Sequence, residues 1–481
     1  MTSVATEEAE GIGGWGEVLF GPQAALAWVL LLGVWLNAAD GLVTVTLMPS
    51  VARSIGGYAY FAWATGAFFL GGIVSCASGG RLAVRLGLKR GFMISAGLYA
   101  GGCVLSAASP GVAAFIVGRL AQGVGAGWLV ALVFVAIGVA FPPRMAARLF
   151  SALSAVWGAA TLLGPMVGGG FATLGLWRWV FWAFAAQTVV FIVGVAIALP
   201  KEARAQPEAG GAPWLQLGLI AGGVVGVAVA GVTSGWIALA SALAGLLVLG
   251  LAVAVDRKAK ARILPRAALD LRRPMALGYA AVLLYSVASV PHTVYSPILI
   301  QRIHGASPLV AGYVVACEAV GWSGVAVLIG HLTGAWPGRL IRLGAVLAVT
   351  GLCILAVAVG WGPIWSVAIG AVIMGAGFGA SFAFINARIL DGAEGQDRTL
   401  GAAAVPTLQA IGASLGAASA GILGHLLGLG RPFDAATASA AALPLFLAFA
   451  PLMALGACAA WRQAGIRVNV VSVRPIPEAS P

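Results

Sequence analysis

Fourteen apolar runs, each long enough to cross a lipid bilayer as a helix, constrain this chain more than any other feature. A transmembrane helix needs about 20 predominantly apolar residues, and lipid offers no partner to irregular backbone. The pattern therefore predicts an all-α integral membrane protein with fourteen transmembrane helices. The runs cover residues 24–52, 58–80, 91–109, 111–140, 146–172, 179–199, 213–232, 235–255, 274–302, 308–330, 340–360, 363–388, 399–428 and 436–461.

Composition excludes several classes of protein. Of the 481 residues, 61% are hydrophobic and 9% are charged, whereas a soluble domain has about 25% charged residues. A soluble enzyme, a nucleic-acid-binding domain and a disordered chain are therefore excluded. The five cysteines and four histidines are scattered, with no spacing typical of a metal site. We expect no metal and no cofactor.

The basic residues predict the orientation in the membrane. If both termini are cytoplasmic, the outer loops hold Arg53, Arg178, Arg302 and Arg431, and Arg119 lies within a span. The other 22 of the 27 lysines and arginines then lie on the cytoplasmic side. This distribution follows the positive-inside rule, so the net charge of +12 requires no nucleic-acid partner. We predict a multi-pass protein of a bacterial inner membrane with both termini cytoplasmic.

Two polar segments, 200–212 and 256–273, divide the runs into six, two and six. The predicted plan is an N-terminal cytoplasmic tail (1–23), a six-helix bundle (24–200), two accessory spans with linkers (201–273), a second six-helix bundle (274–462) and a C-terminal cytoplasmic tail (463–481). Proline, isoleucine and glycine recur at one spacing in 49–57 and 297–305, in the first span of each half. Repeated halves with a site between them are a common transporter plan.

Three formal charges fall well inside the predicted spans: Asp40 in the first, Arg119 in the fourth and Glu318 in the tenth. A charge there costs several kcal/mol, so each should face a partner or a water-filled cavity. One interpretation makes Asp40 and Glu318 proton or cation sites, since a low-dielectric environment favours the neutral form of a carboxyl group. Arg119 would then tune one of them. The alternative is a permanent structural pair between Arg119 and one acid, with Glu318 facing water without coupling.

Polar and aromatic side chains at similar depth are candidates for lining a substrate cavity. Asn37 lies three residues before Asp40 and shares its helix face. His292 is either a proton relay or a hydrogen-bonded packing residue. The candidates are Asn37, Tyr285, His292, Tyr295 and Gln409.

Three motifs resemble those of the major facilitator superfamily and, within it, the fourteen-span drug/proton antiporters. Residues 164–169 read GPMVGG, similar to the family's antiporter motif GPxxGG through Gly164, Pro165, Gly168 and Gly169. Residues 119–125 read RLAQGVG, similar to RxxQGxG through Arg119, Gln122 and Gly123. Residues 177–181 read WRWVF, like a further family signature. The resemblance implies two six-helix bundles of the major facilitator fold, with Arg119 linked to proton transfer.

The segment after the second span is similar to the family pattern GxLaDRxGRK through Gly80, Arg85, Gly87 and Lys89. Val84 stands where that pattern has an aspartate, which is thought to latch the outward-open state. The resemblance therefore implies a conformational motif that lacks its usual latch residue.

By resemblance, we expect proton-driven efflux of lipophilic or cationic compounds by alternating access, with protons, a small-molecule substrate and the bilayer as partners. A single chain contains both halves, so we expect a functional monomer. One alternative is transport of a lipid or amphipathic metabolite, by efflux or uptake. Another is a non-transporting sensor or scaffold on a transporter fold. We do not expect an enzyme, because no nucleophile–base or metal-ligand spacing is present.

Overall fold

A computed structural model of the chain describes residues 15–199, 213–233, 235–259, 261–329, 332, 336–391 and 396–466. Secondary structure in these ranges is all helical, with fifteen α-helices and two short 3-10 turns, Tyr58–Tyr60 and Arg266–Leu269. The α-helices are α1 (Trp15–Phe20), α2 (Ala24–Ile55), α3 (Phe61–Ala107), α4 (Val112–Ala140), α5 (Pro143–Thr173), α6 (Trp177–Ala198), α7 (Trp214–Ala230), α8 (Gly235–Lys258), α9 (Pro274–His304), α10 (Pro308–Ile329), α11 (Trp336–Trp361), α12 (Ile364–Asp391), α13 (Gln396–Leu426), α14 (Ala435–Leu447) and α15 (Ala450–Gly465).

Twelve segments of the described chain are long and apolar enough to cross a membrane. Two predicted spans are not among them. Helix α7 has 17 residues, and the predicted run 91–109 falls in the same long helix as the run before it. The all-helical membrane architecture is confirmed, while the count of fourteen spans stays a prediction.

The predicted loop after the second span is wrong in extent. The sequence places a loop over 80–90, but α3 leaves helical geometry in this region at Gly87 alone, where φ is 77° and ψ is 161°. Glycine adopts a positive φ without the steric penalty of a Cβ atom. One residue therefore makes the turn between two limbs, 61–86 and 88–107.

The two limbs of α3 hold α4 between them. A Cβ atom on Gly123 would collide with the backbone oxygen of Phe68 in the first limb, and one on Gly125 would lie 2.6 Å from the backbone nitrogen of Tyr99 in the second. Small residues of this kind let membrane helices approach closely. Helix α4 is thus fixed within the N-terminal half, with Arg119 one turn before Gly123.

Helix α12 repeats this arrangement in the C-terminal half. A Cβ atom on Gly375 would collide with the backbone oxygen of Glu318 in α10, and one on Gly377 would lie 2.5 Å from the backbone nitrogen of Ala348 in α11. The glycines of α4 and α12 have the same spacing. The two halves therefore share one packing plan, which supports the internal repeat predicted from the first span of each half.

Helices α7 and α8 pack against each other, and α7 lies across the boundary between the halves. Ile220 and Val224 of α7 form a small apolar cluster with Ile73 of α3, and Ile411 of α13 packs against that cluster. Helix α3 belongs to the N-terminal half and α13 to the C-terminal half. Helix α7 therefore contacts both halves.

Part of the predicted linker 256–273 is hydrogen-bonded to the accessory helices. The carboxylate of Asp256 accepts hydrogen bonds from the backbone N–H groups of Ile263 (2.7 Å) and Leu264 (3.1 Å). The side chain of Gln216 donates to the carbonyl of Ala261 (2.8 Å). These bonds tie residues 261–264 to α7 and α8.

Several predicted boundaries shift. Helix α1 lies inside the predicted N-terminal tail, and α15 continues to Gly465, beyond the predicted end of the second bundle at 462. The predicted last span consists of two helices, α14 and α15. The predicted polar segment 200–212 lies outside the described residues. The division into domains stays a prediction.

The helix ends that carry few basic residues form one face, here called the outer face. Near it, Tyr58 packs edge-on against Phe433 with ring centroids 6.1 Å apart, and Phe61 stacks on Tyr295 at 5.8 Å. The first residue of each pair belongs to the N-terminal half and the second to the C-terminal half. These aromatic contacts join the halves at the outer face.

We predict that Gly123→Ala lowers the free energy of unfolding by about 1–3 kcal/mol, the usual cost of overpacking a tight interface. The added methyl group meets the backbone of Phe68, which cannot move aside as a flexible side chain would. Thermal and denaturant unfolding of the purified protein measure the effect. Gly138→Ala is the matched control, because nothing lies within 4 Å of a Cβ atom there. Equal effects of the two substitutions would contradict the prediction.

Candidate functional site

The buried carboxylate of Asp40 forms an ion pair with Arg119. The Nη1 atom of Arg119 lies 2.6 Å from Oδ1 of Asp40, and the side chains are 1% and 0% exposed respectively. The hydroxyl of Thr44, one helical turn after Asp40, donates to the same oxygen at 2.9 Å. Helix α2 supplies the carboxylate and α4 supplies the guanidinium. The two membrane charges of the N-terminal half therefore neutralise each other.

The second oxygen of Asp40 is also occupied. The hydroxyl of Tyr99 lies 3.0 Å from Oδ2 and the amide of Gln122 donates to it at 3.2 Å. The oxygen of Gln122 accepts from Arg119 at 3.0 Å and from Ser106 at 3.1 Å. The carboxylate thus has four donors on its two oxygens, which compensates much of the cost of burying its charge.

The guanidinium of Arg119 also contacts the first limb of α3. Its Cζ atom lies 4.5 Å from the centroid of the Phe68 ring, within the range of a cation–π contact. Its Nε atom donates to the carbonyl of Ala64 at 3.4 Å. The first limb of α3 therefore positions the arginine that α4 provides.

Sequence reasoning missed three members of this cluster. Tyr99, Cys103 and Ser106 come from the second limb of α3, and the thiol of Cys103 lies 3.1 Å from the amide nitrogen of Gln122. The three residues are spaced by four and three, which places them on one helix face. That spacing of polar groups within an apolar run was the available signal.

Glu318 lies in a second, less complete centre. Its Oε2 atom is 3.9 Å from Nε2 of His292, beyond hydrogen-bonding distance, and its side chain is 16% exposed. The Nδ1 atom of His292 lies 2.9 Å from the hydroxyl of Ser296. The Nε2 atom of His292 is buried and has no hydrogen-bond partner. Glu318 and His292, predicted separately, are thus brought together.

The other predicted cavity residues do not form one group. Tyr285 is buried beside Phe378, with ring centroids 5.4 Å apart. Tyr295 stacks on Phe61 at the boundary between the halves. Asn37 and Gln409 are half-buried. Their role in a substrate cavity stays a prediction.

The GPMVGG segment of α5 is a packing surface. A Cβ atom on Gly168 would lie 2.7 Å from the backbone oxygen of Val43 in α2, and one on Gly164 would lie 2.9 Å from the side chain of Leu42. Gly169 packs against the backbone of Leu309 in α10. The segment therefore lets α5 touch helices of both halves, close to Asp40 along α2.

The same surface includes Pro165. Its ring lies 3.0 Å from the Cβ position of Gly312 in α10.

The conformational motif around Gly87 reaches a helix end within its own half. The ammonium of Lys89 donates to the carbonyls of Ala196 (2.5 Å) and Leu199 (3.1 Å) at the end of α6. A cation there complements the negative end of the helix dipole. Val84 is half-buried and Arg85 is exposed. Gly80 lies in the first limb of α3, and nothing stands within 4 Å of its Cβ position.

The two halves differ in where they carry charge. The glycine repeat places Arg119 in register with Ala371 and Gln122 in register with Met374, both fully buried. The C-terminal half therefore has no counterpart of the arginine. Its own charge, Glu318, lies at the position that Phe68 holds in the N-terminal half.

The chain matches known proteins over most of its length. A protein of Mycobacterium tuberculosis named "Probable multidrug-efflux transporter" is 29% identical over 472 residues, which cover 95% of this chain and 98% of that protein. A sequence profile described as Major Facilitator Superfamily matches residues 30–216. The chain is therefore similar to the major facilitator superfamily over the matched residues. Relatives that the chain matches over most of its length are named as transporters.

Further relatives agree with that assignment. "Multidrug resistance protein 3" of Bacillus subtilis is 24% identical over 403 residues, covering 80% of this chain and 77% of that protein. A crystal structure of a peptide transporter matches with a TM-score of 0.67 at 16% identity, over 94% of this chain and 96% of the other. A D-xylose–proton symporter matches with a TM-score of 0.60 at 17% identity, over 88% and 96%. At these identities the two structures establish the fold alone.

Carboxylates inside apolar helices are chemically able to bind protons and cations. Among the described residues, no group of three His, Cys, Asp or Glu side chains is arranged to hold a metal ion. Asp40 offers a carboxylate whose oxygens are already occupied, and Glu318 offers one that is partly open.

We predict that Arg119→Leu lowers the free energy of unfolding by about 3–5 kcal/mol, because it leaves the Asp40 charge buried without its partner. Adding Asp40→Asn to the same chain should restore part of that loss. Equilibrium unfolding in mixed micelles measures Arg119→Leu, Asp40→Asn and the double substitution. Arg90→Leu, at an exposed arginine of α3, is the control and should change little. Additive effects of the Asp40 and Arg119 substitutions would count against the pair.

Proposed function

We propose that this protein is a proton-coupled efflux transporter of lipophilic or cationic compounds that works by alternating access. The observation that carries the proposal is the inequality of its two membrane acids, one in each half. Asp40 is enclosed by donors, whereas Glu318 is partly open and 3.9 Å from a histidine. The multidrug-efflux names of the relatives support the substrate class.

Glu318 is the proposed exchange site. Its carboxylate has no ion pair with an arginine or lysine among the described residues, so a proton or a cationic substrate can neutralise it. A proton and a cationic substrate neutralise the same carboxylate charge and therefore compete for it. Competition of this kind couples proton entry to release of a cation. His292 provides a neighbouring nitrogen that can accept or donate the exchanged proton.

Asp40 and Arg119 are the proposed conformational pair. The acid lies on α2 and the base on α4, so the ion pair holds these two helices together with the second limb of α3. Protonation of Asp40 removes the attraction and frees Arg119. The helices can then shift relative to one another, which links the proton to the movement of the N-terminal half.

Alternating access also requires the halves to separate at the outer face. The contacts Tyr58–Phe433 and Phe61–Tyr295 cross that boundary, and α5 meets α10 through Gly169. These contacts belong to a state closed at the outer face. Fourteen spans, two cytoplasmic termini, a bacterial inner membrane and a functional monomer are part of the same proposal.

We predict that Glu318→Gln abolishes substrate-driven proton flux while the protein still folds. The substitution keeps the shape of the side chain and removes its charge, and no arginine in the described part of the chain pairs with Glu318 and would be left unpaired. Purified protein in liposomes with an imposed proton gradient and an internal pH dye measures the flux. The panel contains lipophilic cations and neutral amphiphiles.

Asp270→Asn is the matched control, since Asp270 is an exposed acid in the segment before α9. Thermal unfolding of each variant checks the fold. Flux that is driven by cations and lost in Glu318→Gln supports antiport. Flux unchanged by Glu318→Gln contradicts the assigned exchange site. A response to neutral amphiphiles alone, in the wild-type protein, favours transport of a lipid or amphipathic metabolite instead.

A further inference from the structure

The outer face carries a pocket that the proposed efflux mechanism does not use. It has a volume of about 480 Å³ and lies where the end of α2 meets the loop between α13 and α14. We call it the outer arginine pocket. Among its lining residues are Arg53, Gly56, Gly57, Tyr58, Gly430 and Arg431.

The pocket collects positive charge from both halves. Arg53 comes from the N-terminal half and Arg431 from the C-terminal half, and both side chains are exposed. A third arginine adjoins the pocket, since Nη2 of Arg302 donates to the hydroxyl of Tyr58 at 3.3 Å and its guanidinium lies 5.9 Å from the ring of Phe433. The protein thus places three of its four outer arginines around one cavity.

These charges are not balanced by the protein. Within the described ranges, none of the three arginines forms an ion pair with a carboxylate. Asp434 lies next to Phe433, but its carboxylate accepts the backbone N–H of Thr437 at 2.8 Å and caps α14. That hydrogen bond lowers the pKa of Asp434, so this one acid stays ionised and committed to the cap.

The dipole of a helix explains part of this arrangement. Arg53 and Arg302 lie in the last turns of α2 and α9, where a cation complements the helix end. Arg431 has no such reason, because it stands in the loop between two helices. It lies across the boundary from Arg53, and like charges on one pocket repel each other.

We propose that the outer arginine pocket binds a phosphate-type anion that bridges Arg53 and Arg431 and holds the outer face closed. The planar guanidinium matches two oxygens of a phosphate at once. The anion is either free phosphate or the phosphate of a lipid headgroup. Because the two arginines belong to different halves, the anion contacts both only while the halves meet at this face.

Because the anion binds the closed state in preference, it shifts the equilibrium between the states closed and open at the outer face. A ligand shifts such an equilibrium by its differential affinity and by nothing else. If only the closed state binds, phosphate at about ten times its Kd multiplies the ratio of closed to open molecules about elevenfold. The outer face is the side from which an exported compound leaves, so the anion would slow each cycle.

The experiment uses the full chain in nanodiscs of phosphatidylcholine, titrated with inorganic phosphate at constant ionic strength. Calorimetry measures binding. Spin labels on Tyr60→Cys and Ala436→Cys, in a background without the five native cysteines, measure the distance across the outer face. Both labelled positions are exposed and lie on opposite halves. A second arm replaces part of the lipid with phosphatidylglycerol and omits phosphate.

Arg53→Gln and Arg431→Gln are the test variants. Arg178→Gln is the matched control, because Arg178 is an outer arginine held by the carbonyl of Ser109 (2.8 Å) and does not line the pocket. We expect saturable phosphate binding with a shift to the short distance in the wild-type protein and in Arg178→Gln. Each test variant should weaken binding at least tenfold.

The two arms identify the source of the phosphate group. A shift to the short distance in phosphatidylglycerol, lost in the test variants, supports a lipid headgroup. A shift with inorganic phosphate alone supports the free anion. Absence of both effects in the wild-type protein, equal affinity in all three variants, or binding without a change in distance overturns the proposal. None of these readouts depends on transport, so the result is separate from that of the efflux assay.

Discussion

A single buried carboxylate sets the geometry of the N-terminal half. Asp40 on α2 takes Arg119 and Gln122 from α4 and Tyr99 from the second limb of α3, all within 3.2 Å. In a membrane the alternative to these bonds is a charge in hydrocarbon, which costs several kcal/mol. Rotation of any of the three helices would break at least one bond. The cluster therefore fixes the rotation of each helix as well as its depth.

Close packing makes that cluster possible. The donors reach Asp40 because α4 lies against both limbs of α3, and it lies there because residues such as Gly123 and Gly125 have no side chain. A larger residue would move α4 outward and lengthen every bond to the carboxylate. The glycines and the charged cluster therefore depend on each other, because close backbone contact brings the donors within hydrogen-bonding distance of Asp40.

The sequence alone predicted the helical membrane architecture and the polar residues that interrupt its apolar runs. Apolar runs define helices because lipid permits little else, and Asp40, Arg119 and Gln122 stand out as polar residues in those runs. The pairing of Asp40 with Arg119 was one of two open alternatives. The donors Tyr99 and Ser106 were missed, because which face of α3 meets α2 depends on the turn at Gly87.

Other differences have the same physical origin. The predicted loop around Gly87 was too long, because one residue with a positive φ makes the turn between the two limbs of α3. The depth of Tyr295 was predicted, but its stacking on Phe61 across the boundary was not, and its role in a cavity stays a prediction. Depth follows from counting residues along a helix, whereas direction depends on what the neighbouring helix presents.

The accessory helices place a protein surface where a twelve-helix transporter of two bundles would meet lipid. Through Ile220 and Val224, α7 touches α3 and, through Ile411, α13, so it covers the line along which the bundles join. Any movement of one bundle against the other must slide along this fixed apolar surface. The resistance to such movement then depends on the side chains of α7 rather than on the acyl chains of the surrounding lipid.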